Sequence, residues 1–103
     1  MDIRFEYNGE TFVWDEDKAA KNLRKHGIRF EEAATVFGDP VLVLADASRN
    51  DEMRFAAIGL GAIGRVLYVV HIEVEHSGVI RLISARRATT AEQRDYFGGT
   101  HVE

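Results

Sequence analysis

The chain has 103 residues, 46% of them hydrophobic and 29% charged, with one proline, no cysteine and a formal net charge of −4. That length suits one hydrophobic core, so residues 1–103 are expected to form a single self-folding domain rather than a disordered segment. Disulfides, thiolate nucleophiles and cysteine-ligated metals are excluded; no run approaches the roughly 20 apolar residues of a membrane helix, and the acidic start differs from a signal peptide, which points to the cytoplasm and no membrane partner.

The elements read clearly in chain order. Ile3, Phe5 and Tyr7 alternate with polar residues, Asn8-Gly9 follows, and Thr11 to Trp14 resumes the alternation, which predicts a β-hairpin. Asp15 stands as the N-cap of a first helix with Glu16 and Asp17 in its first turn, and Lys25, His26 and Gly27 form its stop. Phe30, Ala33, Ala34 and Phe37 give an i, i+3, i+4, i+7 stripe ending at Gly38-Asp39-Pro40, a second helix whose N-cap position, Arg29, offers no short acceptor. Val41 to Ala45, Met53 to Leu60, Arg65 to Glu73 and Val79 to Ala85 then read as an antiparallel meander. Thr89 or Thr90 with Glu92 or Gln93 gives two overlapping capping boxes for a last helix through Tyr96 before Gly98-Gly99. The expected fold class is α+β: an N-terminal hairpin, two helices, a mostly antiparallel sheet of about four strands and a C-terminal helix.

Side-chain parity suggests which face is which. Val66, Tyr68, Val70, Ile72 and Val74 form an unbroken apolar face, matched by Ile80 and Leu82, and that face is expected to take the helices. The open face would then carry Arg65, His71 and Glu73 beside Arg81 and Arg87. An odd-length turn near His76-Ser77-Gly78 places His71 by Arg81; an even one pairs Ile72 with Arg81 and, on this choice of faces, buries the arginine.

Charge is unevenly spread. The first 53 residues carry 12 acids against 7 Lys/Arg, the remainder 5 acids against 6 arginines. Between Val79 and Arg94 stand Arg81, Arg86, Arg87 and Arg94 against Glu92 alone, a patch suited to phosphate oxygens or, more plainly, a solvated strand end. Other chemistries find no support. Gly59-Leu60-Gly61-Ala62-Ile63-Gly64 fits G-x-G-x-x-G, yet strand rather than helix follows, so it reads as a hairpin loop and not a dinucleotide site. His26, His71, His76 and His101 lack metal-ligand spacing, so no metal and no cofactor is expected. No nucleophile elbow occurs, and an acidic chain without a basic helix is a poor DNA reader.

Two longer segments go further. Trp14-Asp15, Lys18, Asn22, Lys25-His26-Gly27-Ile28, Phe30 and Glu32-Ala33 in one run, and Ile80-Arg81-Leu82-Ile83-Ser84-Ala85-Arg86-Arg87-Ala88-Thr89 in the other, resemble the two signature stretches of the BrnT family. With Phe37 to Pro40 and Met53 to Phe55 the resemblance runs from about Phe12 to Tyr96. It implies a RelE-like fold, metal-independent endoribonuclease action that inhibits translation, and control by a BrnA-like ribbon-helix-helix antitoxin, in a hetero-oligomer that reaches operator DNA only through the antitoxin.

Cleavage of RNA by 2′-OH attack needs a base, donors on the developing phosphorane charge and an acid at the leaving oxygen. The candidates for catalysis are Arg81, Arg86 and Arg87 as charge stabilisers and His71 and Glu73 as base or acid, with His26 and Lys25 ranked behind those two for proton transfer, and Arg94 and Lys25 joining the three arginines in RNA binding. Each has a plainer role: Lys25 and His26 suit a helix C-terminus, Arg86 could pair with an acid from a helix, and Arg81 and His71 could be cross-strand contacts. Trp14 and Asn22 read as fold determinants. A non-catalytic binding module that keeps the same surfaces is the alternative to the enzyme.

Overall fold

A computed structural model describes residues 1–99. Strands β1 (Asp2–Tyr7) and β2 (Glu10–Asp15) form the expected hairpin. Asn8 and Gly9 both take positive φ, 52° and 82°, the pair a tight turn matching the strand twist requires. Helix α1 (Glu16–His26) starts as the sequence indicates, with the Asp15 carboxylate accepting from Lys18 N at 3.0 Å, and ends on left-handed Gly27, whose N–H donates to Leu23 O. Helix α2 (Phe30–Thr35) begins at Arg29 without a side-chain cap and tightens into a 3₁₀ turn over Val36–Gly38.

The remaining strands are β3 (Val43–Asp46), β4 (Phe55–Leu60), β5 (Val66–Val74) and β6 (Val79–Arg87), followed by α3 (Thr90–Gly99). The six strands of the described residues share one mixed sheet in the order β1-β2-β6-β5-β4-β3, more than the four expected. The reason is that the hairpin joins the meander: β2 lies parallel to β6 along Thr11–Val13 and Val79–Arg81. Local pattern cannot announce a pairing between residues so far apart.

The faces are the reverse of the parity reading. Leu67, Val69 and His71 point to the side that carries α1 and α2, where Phe12, Trp14, Ile28, Phe30, Ala33, Val36 and Leu82 make the core. Trp14 anchors it, edge-on to Phe30 at 5.7 Å and against Phe5 at 5.7 Å; burying such a ring contributes about 1.5–3 kcal/mol. Arg65, expected on the open face, reaches α2 and bonds Glu32 twice at 2.7 Å. Small residues explain the choice. Ala56 and Ala57 of β4 are both fully buried, so hydrophobicity alone does not distinguish the sides. The close approach of the 3₁₀ turn does: a Cβ on Gly59 would stand 2.9 Å from Val36 Cγ1. The face of Val43, Ile58, Val66 and Tyr68 takes α3 through Tyr96, with Ala88 just ahead of that helix in the same cluster.

The turn after β5 spans four residues, so Ile72 pairs with Arg81 and Glu73 with Ile80. The even register is therefore realised, yet Arg81 is not buried, because its face is the one away from α1 and α2. Beyond it the register slips: His71 pairs with Leu82 but Val70 with Ser84, leaving Ile83 as a β-bulge. The bulge keeps Leu82 and Ala85 on the core face and brings Arg81, Ser84 and Arg86 together on the other.

Candidate functional site

The meeting of His71 and Arg81 that an odd-length turn would bring does not occur; they occupy opposite faces. Arg81 donates to Asp2, Nη2 to Oδ2 at 2.8 Å and Nη1 to Oδ1 at 3.4 Å. This bond holds the guanidinium further above its already high range and the Asp2 carboxyl below its own. Asp15, the α1 cap, adds its charge to Arg81 and places it near the start of α1. Arg86 is committed elsewhere: its two terminal nitrogens bond Glu92 at 2.7 and 2.9 Å, and its guanidinium lies 4.1 Å from the Tyr68 ring centroid. Glu92 is itself the capping box of α3, accepting from Thr89 N while Thr89 Oγ1 accepts from Glu92 N. Arg86 thus has the plainer role the sequence allowed, a strand-end residue tied to a helix acid. Arg87 pairs with Leu67, hence on the opposite side from Arg86, and is exposed, as is Arg94 on α3.

The free edge of β6 gathers what the arginines do not. Once β2 has parted from β6, Asn22 of α1 completes the edge: Nδ2 donates to Ala85 O at 2.9 Å and to Ile28 O at 3.0 Å, and Ala85 N donates to Oδ1 at 3.0 Å. A buried amide does here what a neighbouring strand would do. It draws α1 against Ile83 and Ser84 and opens a cleft of about 210 Å³ between them, walled by Lys18, Lys21, Lys25 and His26. Lysines at i, i+3 and i+7 share one helical face, and no ion pair joins any of the three to a carboxylate among the described residues. Of these residues the sequence singles out Lys25 for RNA, and Lys25 and His26 behind His71 and Glu73 for proton transfer, but not Lys18, Lys21 or Ser84. The spacing of the lysines was the available signal.

On the core side, His71 and Glu73 line a second groove of about 480 Å³ with Glu10, Phe37, Leu42, Leu44, Phe55 and Ile80. His71 is only 7% exposed and edge-on to Phe37 at 4.9 Å. Burial pushes its imidazole below the ordinary histidine range, against the opposing pull of the Val69 carbonyl and Glu73. Since a carbonyl only accepts, the 3.2 Å contact from Nδ1 to Val69 O puts the proton on Nδ1. Two carboxylates and a neutral imidazole do not attract phosphate. No group of three or more potential ligands is placed to hold a metal ion among the described residues, and no helix there is long and apolar enough to cross a membrane.

An α+β protein with an uncompensated lysine row along a sheet edge is equipped to hold a polyanion. The family model described as ribonuclease toxin, BrnT, of type II toxin-antitoxin system matches residues 14–92, and the chain belongs to that family. Among solved structures, the 1.1 Å crystal structure of the Brucella abortus ribonuclease toxin, BrnT, is similar at 26% identity and a TM-score of 0.58, over 75% of this chain and 94% of that one. No curated protein matches.

Proposed function

We propose that this chain is the toxin of a type II toxin–antitoxin pair, a RelE-like, metal-independent endoribonuclease that cuts RNA in the cytoplasm and so inhibits translation. The observation that carries the reading is the cleft of Lys18, Lys21, Lys25 and His26 at the free edge of β6, with Arg81 farther along the strand. Ammonium groups fit phosphate oxygens and repel a divalent cation, which supports chemistry without a metal. The 2′-OH attacks the adjacent phosphorus, its proton passing to a base, while the P–O5′ bond breaks and an acid protonates the leaving oxygen; the products are a 2′,3′-cyclic phosphate and a 5′-hydroxyl. Lysines and Arg81 stabilise the phosphorane charge, and His26, whose imidazole both accepts and donates, carries the proton. His71 and Glu73, on the face opposite Arg81, line the separate groove and stand outside this site, and Arg87 and Arg94 would serve only as outlying contacts to the RNA backbone.

The toxin is held silent by a BrnA-like ribbon-helix-helix antitoxin in a hetero-oligomer, and operator DNA is bound through that partner. Incubating the purified, partner-free chain with RNA tests the catalytic reading. Cleavage is expected to survive EDTA and to fall on the order of 100-fold or more in the Lys18→Ala/Lys25→Ala double variant, the scale of losing preorganised donors. Intact RNA in the presence of the folded chain supports the non-catalytic binding module instead.

A further inference from the structure

The groove on the core side is unused by the cleavage site, and its composition is unlike that of the cleft. Its apolar part is exposed where cores normally are not: Leu44 is 60% and Phe55 39% accessible, lining the groove with Phe37 of the 3₁₀ turn. Its other end is acidic. Glu73 pairs directly with Ile80, and Glu10 lies on the same face of β2, two residues before Phe12, which pairs with Ile80 from the other side. Neither carboxylate has an ion-pair partner among the described residues. A polyanion is repelled here, whereas an apolar side chain next to a cation matches both ends of the groove.

We propose that this groove seats an extended segment of the antitoxin, which places an aliphatic or aromatic side chain between Phe37 and Phe55 and a lysine or arginine between Glu10 and Glu73. The inference rests on the antitoxin part of the proposed function and adds the docking surface and the chemistry of the segment that fills it. The strand order favours it. β3 is the sheet's outer strand, only four residues long, so a segment entering the groove meets Leu44 across an open edge rather than a covered one. Docked there, the segment lies on the face opposite Arg81 and leaves the rest of the antitoxin to reach the cleft around the edge of the molecule.

The test uses the full chain and the purified product of the reading frame beside its gene, with affinity measured by calorimetry at two ionic strengths and RNA cleavage measured separately on each free variant. Glu10→Lys/Leu44→Lys alters two exposed positions that lie outside the cleft. Affinity is expected to drop on the order of 100-fold while free-chain cleavage is unchanged, and Glu10→Gln alone is expected to flatten the salt dependence. Binding within about threefold of wild type in the double variant overturns the proposal. So does failure of the neighbouring product to bind the wild-type chain, or self-association of the free chain that the double variant abolishes, which assigns the groove to a second copy. Loss of binding in a chain that never cleaves RNA upholds the docking surface and sinks only the catalytic reading.

Discussion

Asn22 offers the most direct test of how the cleft is built. Asn22→Ala removes three hydrogen bonds at once and leaves Ala85 N–H, Ala85 C=O and Ile28 C=O without the partner they have now, in residues that are fully buried. Stranding a buried donor costs about 1–3 kcal/mol, and each carbonyl, having a second lone pair, falls near the lower end of that range. The sum is about 3–5 kcal/mol, a large part of the roughly 5–15 kcal/mol that holds a domain this size together. Urea unfolding should show that loss as a shift in midpoint at unchanged slope, and a melting point lower by about 15 °C or more. Asn22→Asp should be no milder at neutral pH, since it keeps the acceptor for Ala85 N but turns a carboxylate toward two carbonyls. A loss below about 1 kcal/mol for the alanine variant would show that water substitutes freely at this edge and that α1 is held by its apolar face alone.

Arg81 and Arg86 should separate cleanly. Arg81→Ala is expected to raise the cleavage barrier by about 2–4 kcal/mol with melting almost unmoved, because its exposed pair with Asp2 contributes little to stability. Arg86→Ala should lower the melting point by releasing Glu92 and Tyr68 while each folded molecule cuts RNA at the wild-type rate; the reverse pattern would exchange their roles. Stability should also fall through His71 as pH drops below about 7. Its folded-state affinity for protons is depressed, so its contribution is complete above the ordinary 6.5 and is lost as pH falls toward the lower folded value, where the unfolded chain binds the extra proton. His71→Phe should flatten that slope; the carboxylates of Asp2, Asp39 and Glu92, which are also depressed, act only at lower pH. An unchanged slope in the variant would remove His71 from the account.

Local chemistry was legible from the sequence wherever a short-range rule decided the matter. Asn8-Gly9, the Asp15 cap, Gly27 and the Thr89–Glu92 box each do what their residue types dictate. Strand positions were also readable to within two residues at most ends. What was not legible needed information from the other side of the molecule. Two apolar parities compete on β5, and which one faces α2 is settled by Glu32 meeting Arg65 and by the 3₁₀ turn pressing on Gly59, contacts between residues decades apart in the chain. The bulge at Ile83 changes the phase of β6 midway, so an alternation counted from Val79 gives Arg81 and Arg86 opposite sides when they share one. For the cleft, the lysine row was visible, but its neighbour Ser84 depends on the amide of Asn22 reaching a strand 63 residues later.

That same long reach sets the order in which the molecule can come into being. Synthesis delivers β1, β2 and α1 ahead of the meander, with the lysine row complete, while the strand that closes the hairpin seam and forms the far wall of the cleft emerges only after β3, β4 and β5. At roughly 5–20 residues per second the interval is on the order of several seconds, through which Phe12 and Trp14 wait without β6 beside them. A nascent chain interrupted anywhere before Val79 has neither the seam nor the cleft. Seam and cleft therefore come into existence together, only once β6 has emerged, and an incomplete copy carries the cations without the surface that organises them.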